Sequence, residues 1–188
     1  MLKELVQKNR SYRRFYEEIK IDTDVLKDLI GFVSISPSAA NRQPLKFILS
    51  NSKDQNAKIF ETLAWAGYLK DWQGPEQGER PSAYIVVLGD TEISKDFSVD
   101  PGIVMQTMLL GAVEKGLGGC MFGSIKRLEL AKLLQIPERY QVLYVIALGK
   151  PKENIVIDAI KNDDVKYWRD SSLTHHVPKR SVDELILE

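Results

Sequence analysis

The stretch PGIVMQTMLLGAVEKGLGGCMFGS, Pro101 to Ser124, decides the fold. From Ile103 to Val113 the apolar residues Ile103, Val104, Met105, Met108, Leu109, Leu110, Ala112 and Val113 fall on every side of a helical wheel. That pattern predicts a helix buried all round. Glu114-Lys115 close it well short of the roughly 20 apolar residues that a bilayer requires. Gly116, Gly118 and Gly119 then lead into an extended segment, Cys120 to Ile125. Glycines at such a junction let the backbone approach something flat or charged.

Working outward from this core, Leu45–Ser50, Ala83–Leu88 and Gln141–Leu148 read as strands. The second is a continuous apolar run of the kind found inside a sheet, and Gly149-Lys150-Pro151 is expected to stop the third. A helix is expected to open the chain, where Leu2, Leu5 and Val6 recur at helical spacing. Another follows the capping residues Asp22-Thr23-Asp24, with Leu26, Leu29, Ile30 and Val33 as its apolar stripe, and ends before Pro37. A third starts at Ser52 and shares Ala57, Phe60, Leu63 and Ala64 on one face, and a short fourth carries Leu128, Leu130, Leu133 and Leu134. From Gly67 to Pro81 no period survives and a long loop is expected. Trp65, Tyr68 and Trp72 either pack on the core there or wall a pocket.

The chain has 188 residues, enough for one core with an appendage. Its 26 basic and 26 acidic residues cancel, so no global field favours nucleic acid or an anionic membrane, and any electrostatic site is local. Mixed charge at Met1–Leu5, with no apolar run behind it, predicts no signal peptide. Cys120 is the one cysteine; it reads as a small buried hydrophobe and points to a reducing cytoplasm. Residues 1–150 form the expected core. Residues 151–188 carry too little apolar periodicity to make a core of their own and are expected to wrap a second subunit.

Three segments carry the chemistry. Arg10, Arg13 and Arg14 surround Ser11 and Tyr12, and such a cluster can hold a phosphate through forked hydrogen bonds, or be a solvated turn. Ser36 to Pro44 is a stiff loop of small and hydrogen-bonding residues between two prolines; it can lie against a planar ligand or simply connect helix to strand. The glycine segment ending at Gly119 is not a dinucleotide fingerprint, because it leaves a helix and enters a strand rather than the reverse. Of hydrolytic or metal machinery little is present: His175 and His176 are adjacent, point apart in an extended chain, and are expected at the surface without a metal. A chain with phosphate-binding arginines but no evident bond-breaking side chain fits a protein whose cofactor carries the chemistry.

Taken in order, Arg10-Ser11-Tyr12-Arg13 with Phe15, Pro37-Ser38-Ala39-Ala40-Asn41-Arg42-Gln43-Pro44, and Asp100 to Gly119 make the sequence resemble the flavin-dependent nitroreductase family in its compact form. The resemblance implies an α+β fold with a mixed, mainly antiparallel sheet flanked by helices, and an intertwined homodimer holding FMN at the subunit interface. It implies that Arg10, Ser11 and Arg13 meet the FMN phosphate, ribityl chain and pyrimidine edge. Pro37, Ser38, Ala39 and Asn41 of the partner would line the ring system. Gly123 and Ser124 would lie at the flavin N5 region with Gly119 beside it, although well-known relatives place an acidic residue where this chain has Gly123. Lys179-Arg180 resembles the basic pair that completes the phosphate site, Arg180 being the firmer choice. The implied activity is that of a cytoplasmic oxidoreductase passing electrons from NADPH or NADH to a small acceptor such as a nitroaromatic or quinone. A flavin-binding sensor without turnover is the alternative, and a reductive dehalogenase or flavin-destroying enzyme a third.

Overall fold

The apolar helix is the centre of the molecule, yet one side of it is open. In the computed structural model, which describes residues 1–187, it forms α4 (Asp100–Glu114). Val104, Met105, Met108, Leu109 and Ala112 face the interior, whereas Gln106 is exposed and Ile103, Leu110 and Val113 are half-buried. The expectation of burial all round is therefore corrected. One sheet, α1 (Leu2–Lys8) and α2 (Thr23–Ser34) together cover only part of the helix circumference.

The main sheet comprises, among the described residues, β1 (Phe15–Tyr16), β2 (Leu45–Ser50), β3 (Ala83–Asp90), β4 (Gly118–Phe122) and β5 (Tyr140–Pro151), all paired antiparallel. β3 is buried along its whole length because both its faces are covered. Ile85 and Val87 point to α2 and α4, while Tyr84, Val86 and Leu88 point to the cluster of Ile59 and Leu130, from α3 (Lys53–Phe60) and α5 (Arg127–Leu133). Each such side chain contributes about 1.5–3 kcal/mol of burial.

β5 does not stop at Gly149; it continues to Pro151, where Phe15 of β1 pairs with it. Gly149 is there for space, since a Cβ would lie 2.6 Å from the ring of the fully buried Phe15. Ser52 caps α3 by accepting from the Gln55 amide, but that helix ends at Phe60. Leu63 instead makes an isolated bridge with Ile125, and the buried residue of α3 is Ile59. Trp65 packs edge-on against Phe122, ring centres 4.6 Å apart, at the start of the irregular segment.

Beyond residue 151 the chain builds a second sheet, which its polar composition did not announce. β6 (Ile155–Ala159), β7 (Trp168–Arg169) and β8 (His175–Lys179) lie in the order β6-β8-β7, with β6 and β8 parallel. Glu153 fastens this sheet to the first one. Its buried carboxylate accepts from the Arg13 backbone N–H (2.9 Å) and from Nε and Nη2 of Arg169 (3.1 and 2.6 Å).

Arg14 leaves the basic cluster. In the extended segment Ser11 and Arg13 fall on one side and Tyr12 and Arg14 on the other, and Arg14 forks onto Glu79, which Lys152 also meets at 3.0 Å. The Arg14 hydrogen bond, followed by that of Lys152, holds the Glu79 carboxyl down to about 2. A depressed carboxylate stabilises the fold above its ordinary titration range, near 4.3, and loses that contribution as pH falls toward 2. The gap in urea midpoint between the protein and its Glu79→Gln variant is thus expected to narrow steadily from about pH 5 to about pH 2. A gap independent of pH would show that the ion pair adds nothing.

Candidate functional site

A cavity of about 750 Å³ opens where the first basic segment, the β4 edge and β8 converge. Ser11 forms a parallel bridge to Gly119, and the Tyr12 amide donates to the Gly119 carbonyl at 3.0 Å, so the basic segment is laid along the glycine strand. Gly119 cannot be replaced cheaply: a Cβ would stand 2.5 Å from the Ala147 carbonyl oxygen and 2.7 Å from Leu109. The glycines thus serve close strand packing, and the cavity inherits bare main chain on that side.

Arg10, Ser11, Arg13, Gly119, Lys179 and Arg180 all line this cavity. Arg10 Nη2 donates to the Val6 carbonyl at 2.7 Å, but its buried Nε has no partner among the described residues. Arg13 Nη1 donates to the Ser11 carbonyl at 3.2 Å, and the guanidinium lies over the Tyr167 ring, 4.8 Å from its centre. Arg180 is already paired with Asp163 (2.8 Å), whereas Lys179 makes no ion pair among the described residues. The free positive charge at this end therefore rests on Arg10, Arg13 and Lys179.

His175 is not at the surface as expected; it is 1% exposed and forms part of the cavity wall. Arg13 Nη1 stands 3.4 Å from His175 Nε2. A guanidinium only donates, so Nε2 is the acceptor and the proton sits on Nδ1. Burial, partly opposed by Glu153 and reinforced by Arg13 and Arg169, lowers the imidazole to about 4 and keeps it neutral. His176 points the other way, hydrogen-bonds Asp158 at 2.8 Å and stacks on Trp168. Asp158 raises its pKa.

Two expected groups lie elsewhere in the chain. Gly123 and Ser124 are exposed just past β4; the Gly123 carbonyl accepts from Arg127 and the Ser124 carbonyl from the Ala64 amide. Pro37, Ser38, Ala39 and Asn41 sit at the start of α4, clear of the cavity. There the buried Asp100 carboxylate accepts from Ser38 Oγ at 2.6 Å and the Ala39 amide at 2.8 Å. Ala40, Asn41 and Gln43 all have φ near +50° (50°, 54° and 51°), a region costly for residues with a Cβ. A strained loop pinned by one carboxylate holds a fixed shape. Glu153 and Tyr167 went unmarked in the sequence, and His175 was expected at the surface, because all three come from the polar C-terminal segment, whose short strands give no hydrophobic period.

An antiparallel sheet wrapped by helices, with a basic cavity on the edge of its glycine strand, defines the nitroreductase-like α+β fold. The nitroreductase family model matches residues 6–150, and the chain belongs to that family. It is 30% identical over 148 residues to an Archaeoglobus fulgidus protein provisionally named NADH dehydrogenase/NAD(P)H nitroreductase, covering 74% of this chain and 80% of that one. A solved nitroreductase family protein from Streptococcus pneumoniae superposes over 100% of both chains with a TM-score of 0.70 at 17% identity. An FMN-dependent nitroreductase from Clostridium difficile covers 85% of this chain and 91% of its own at a TM-score of 0.64 and 20% identity.

Proposed function

We propose that this protein is a homodimeric, FMN-dependent NAD(P)H oxidoreductase acting on a small acceptor such as a nitroaromatic or quinone. The observation that carries this reading is the convergence of Arg10, Arg13 and Lys179 on one cavity, with an Arg10 Nε that has no partner among the described residues. Donors without acceptors at one end, and main chain without side chains beside Gly119, fit a ligand with an anionic tail and a flat body. The names of the Archaeoglobus and Clostridium relatives support the same activity class.

In this reading FMN, when bound, supplies the two-electron chemistry between NAD(P)H and the acceptor. The residues bind and orient. Arg10 and Arg13 hold the phosphate with Lys179, and Arg180 is steadied beside it by Asp163. Ser11 contributes to the ribityl side, Gly119 keeps the strand edge flat, and Gly123 and Ser124 offer main-chain groups farther along. A Cβ at Gly123 would meet only Tyr144, at 3.6 Å, so packing leaves that position open for substrate.

The partner is proposed to supply Pro37, Ser38, Ala39 and Asn41, which no cavity of their own protomer uses with the arginines. Surface area supports a dimer. The chain exposes 11370 Å², against about 9100 Å² expected for a monomer of its mass. An excess of roughly 2300 Å² per subunit falls in the range of obligate dimers. The half-buried stripe of α4 and the exposed Val182, Leu185 and Ile186 are candidates for that contact, the latter through the extension 151–188. No helix among the described residues is long and apolar enough to cross a membrane, and a cytoplasmic location is part of the proposal.

The test is direct. The purified protein is expected to be yellow, to sediment at twice the 21.4 kDa chain mass, to bleach anaerobically with NADPH or NADH and to recolour with an acceptor. Flavin binding without bleaching would select the sensor reading, for which Gly123 in place of an acidic residue speaks. A colourless monomer that takes up no FMN would end both.

A further inference from the structure

A second cavity, of about 670 Å³, shares no lining residue with the first. It lies between α3, the segment after β1, and the start of β3. Lys20, Lys53 and Arg80 bring three cations to it, against one carboxylate, Glu17. That carboxylate is occupied with main chain: its Oε2 accepts from the Gly78 and Arg80 amides, and among the described residues it pairs with none of the three cations.

The donors here are unusually idle. Arg80 is only partly exposed and its Cζ stands over Phe60, 4.2 Å from the ring centre, yet among the described residues its guanidinium makes no hydrogen bond and no ion pair. Among those residues its buried Nε has no partner, and neither has Ser82 Oγ, on a residue 9% exposed. Asn56 does not answer them, because its Nδ2 donates to the Ser82 carbonyl at 2.8 Å and its Oδ1 accepts from Ser50 Oγ at 2.7 Å. Buried donors are ordinarily matched, and a planar guanidinium held on an aromatic face presents a fork suited to a carboxylate or phosphate. Phe60, Pro81 and Tyr84 add apolar wall, and the volume exceeds what a bare inorganic anion fills.

We infer that this cavity binds an organic anion, a carboxylate or phosphate on an apolar body, with Arg80 and Ser82 as its anchors. The site is separate from the flavin reading and stands or falls without it. The anionic head meets Arg80 and the Ser82 hydroxyl, Lys20 and Lys53 raise the local anion concentration, and the apolar body lies along Phe60 and Pro81.

The inference is tested by amide NMR titration of the protein, carrying whatever flavin it holds, with benzoate, phenyl phosphate and the neutral benzamide. Saturable shifts are expected at Gly78, Arg80 and Ser82, with at least one anion binding tenfold or more tighter than benzamide. The tighter of the two anions then distinguishes carboxylate from phosphate. Arg80→Gln is expected to weaken that anion at least tenfold and Ser82→Ala at least threefold, both with unchanged flavin content. Absence of saturation, benzamide binding as well as the anions, or anion affinity retained in both variants would overturn the inference. Shifts confined to Ser11, Gly119 and Lys179 would do the same, by assigning the anion to the first cavity.

Discussion

Arg10→Ala is expected to weaken FMN retention about 10- to 100-fold, because a hydrogen bond to a charged group is worth roughly 1.5–3 kcal/mol. Arg10 is the sharpest probe of the cavity, since among the described residues its guanidinium meets the Val6 carbonyl and no carboxylate. Arg13→Ala is expected to fall in the same range, and it also strips the cation from the face of Tyr167. Arg14 supplies the contrast. Its guanidinium is forked onto Glu79 on the opposite side of the segment, so Arg14→Ala is expected to leave flavin affinity within about twofold while lowering stability. Flavin fluorescence quenching gives the dissociation constants. Equal affinity in the Arg10, Arg13 and Arg14 variants would remove the phosphate assignment.

Glu153→Ala is expected to have the largest effect on stability. The carboxylate is 7% exposed as a residue, takes the Arg13 amide with one oxygen and Arg169 with the other, and joins the two sheets. Removing one member of a buried ion pair strands the other, at a cost of about 3–5 kcal/mol. For a chain of this size that lowers Tm by roughly 6–20 °C. Because the loss is mostly the stranded Arg169, Glu153→Ala/Arg169→Ala is expected to cost clearly less than the sum of its two single changes. Calorimetry of the three variants checks this, and strict additivity would show that the pair does not act as a unit.

What could be read from the chain alone follows the strength of its periods. The strands Leu45–Ser50 and Ala83–Asp90 and the helix beginning at Asp100 carry continuous apolar runs, and local pattern agrees there with tertiary environment. The family resemblance added what no period could, an expectation that residues near 10 and near 180 share a site, and the fold sets both along one cavity. Three things stayed hidden for physical reasons. The half-open side of α4 carries the same residue types as its buried side, so composition cannot separate them. β6 to β8 are short and largely polar, with His176 of β8 hydrogen-bonded across to Asp158 of β6. Arg13 and Arg14 differ in role only through the two-residue alternation of an extended segment, which the sequence does not declare in advance.

The pairing of Arg13 with His175 and Glu153 has a consequence for biosynthesis. At about 5–20 residues per second, the ribosome releases the first basic segment on the order of ten seconds or more before the last strand emerges. A nascent polypeptide therefore carries Arg13 without its two C-terminal partners for most of translation, and on the proposed function the coenzyme would be captured late, after synthesis, rather than serving as a nucleus around which the protein folds.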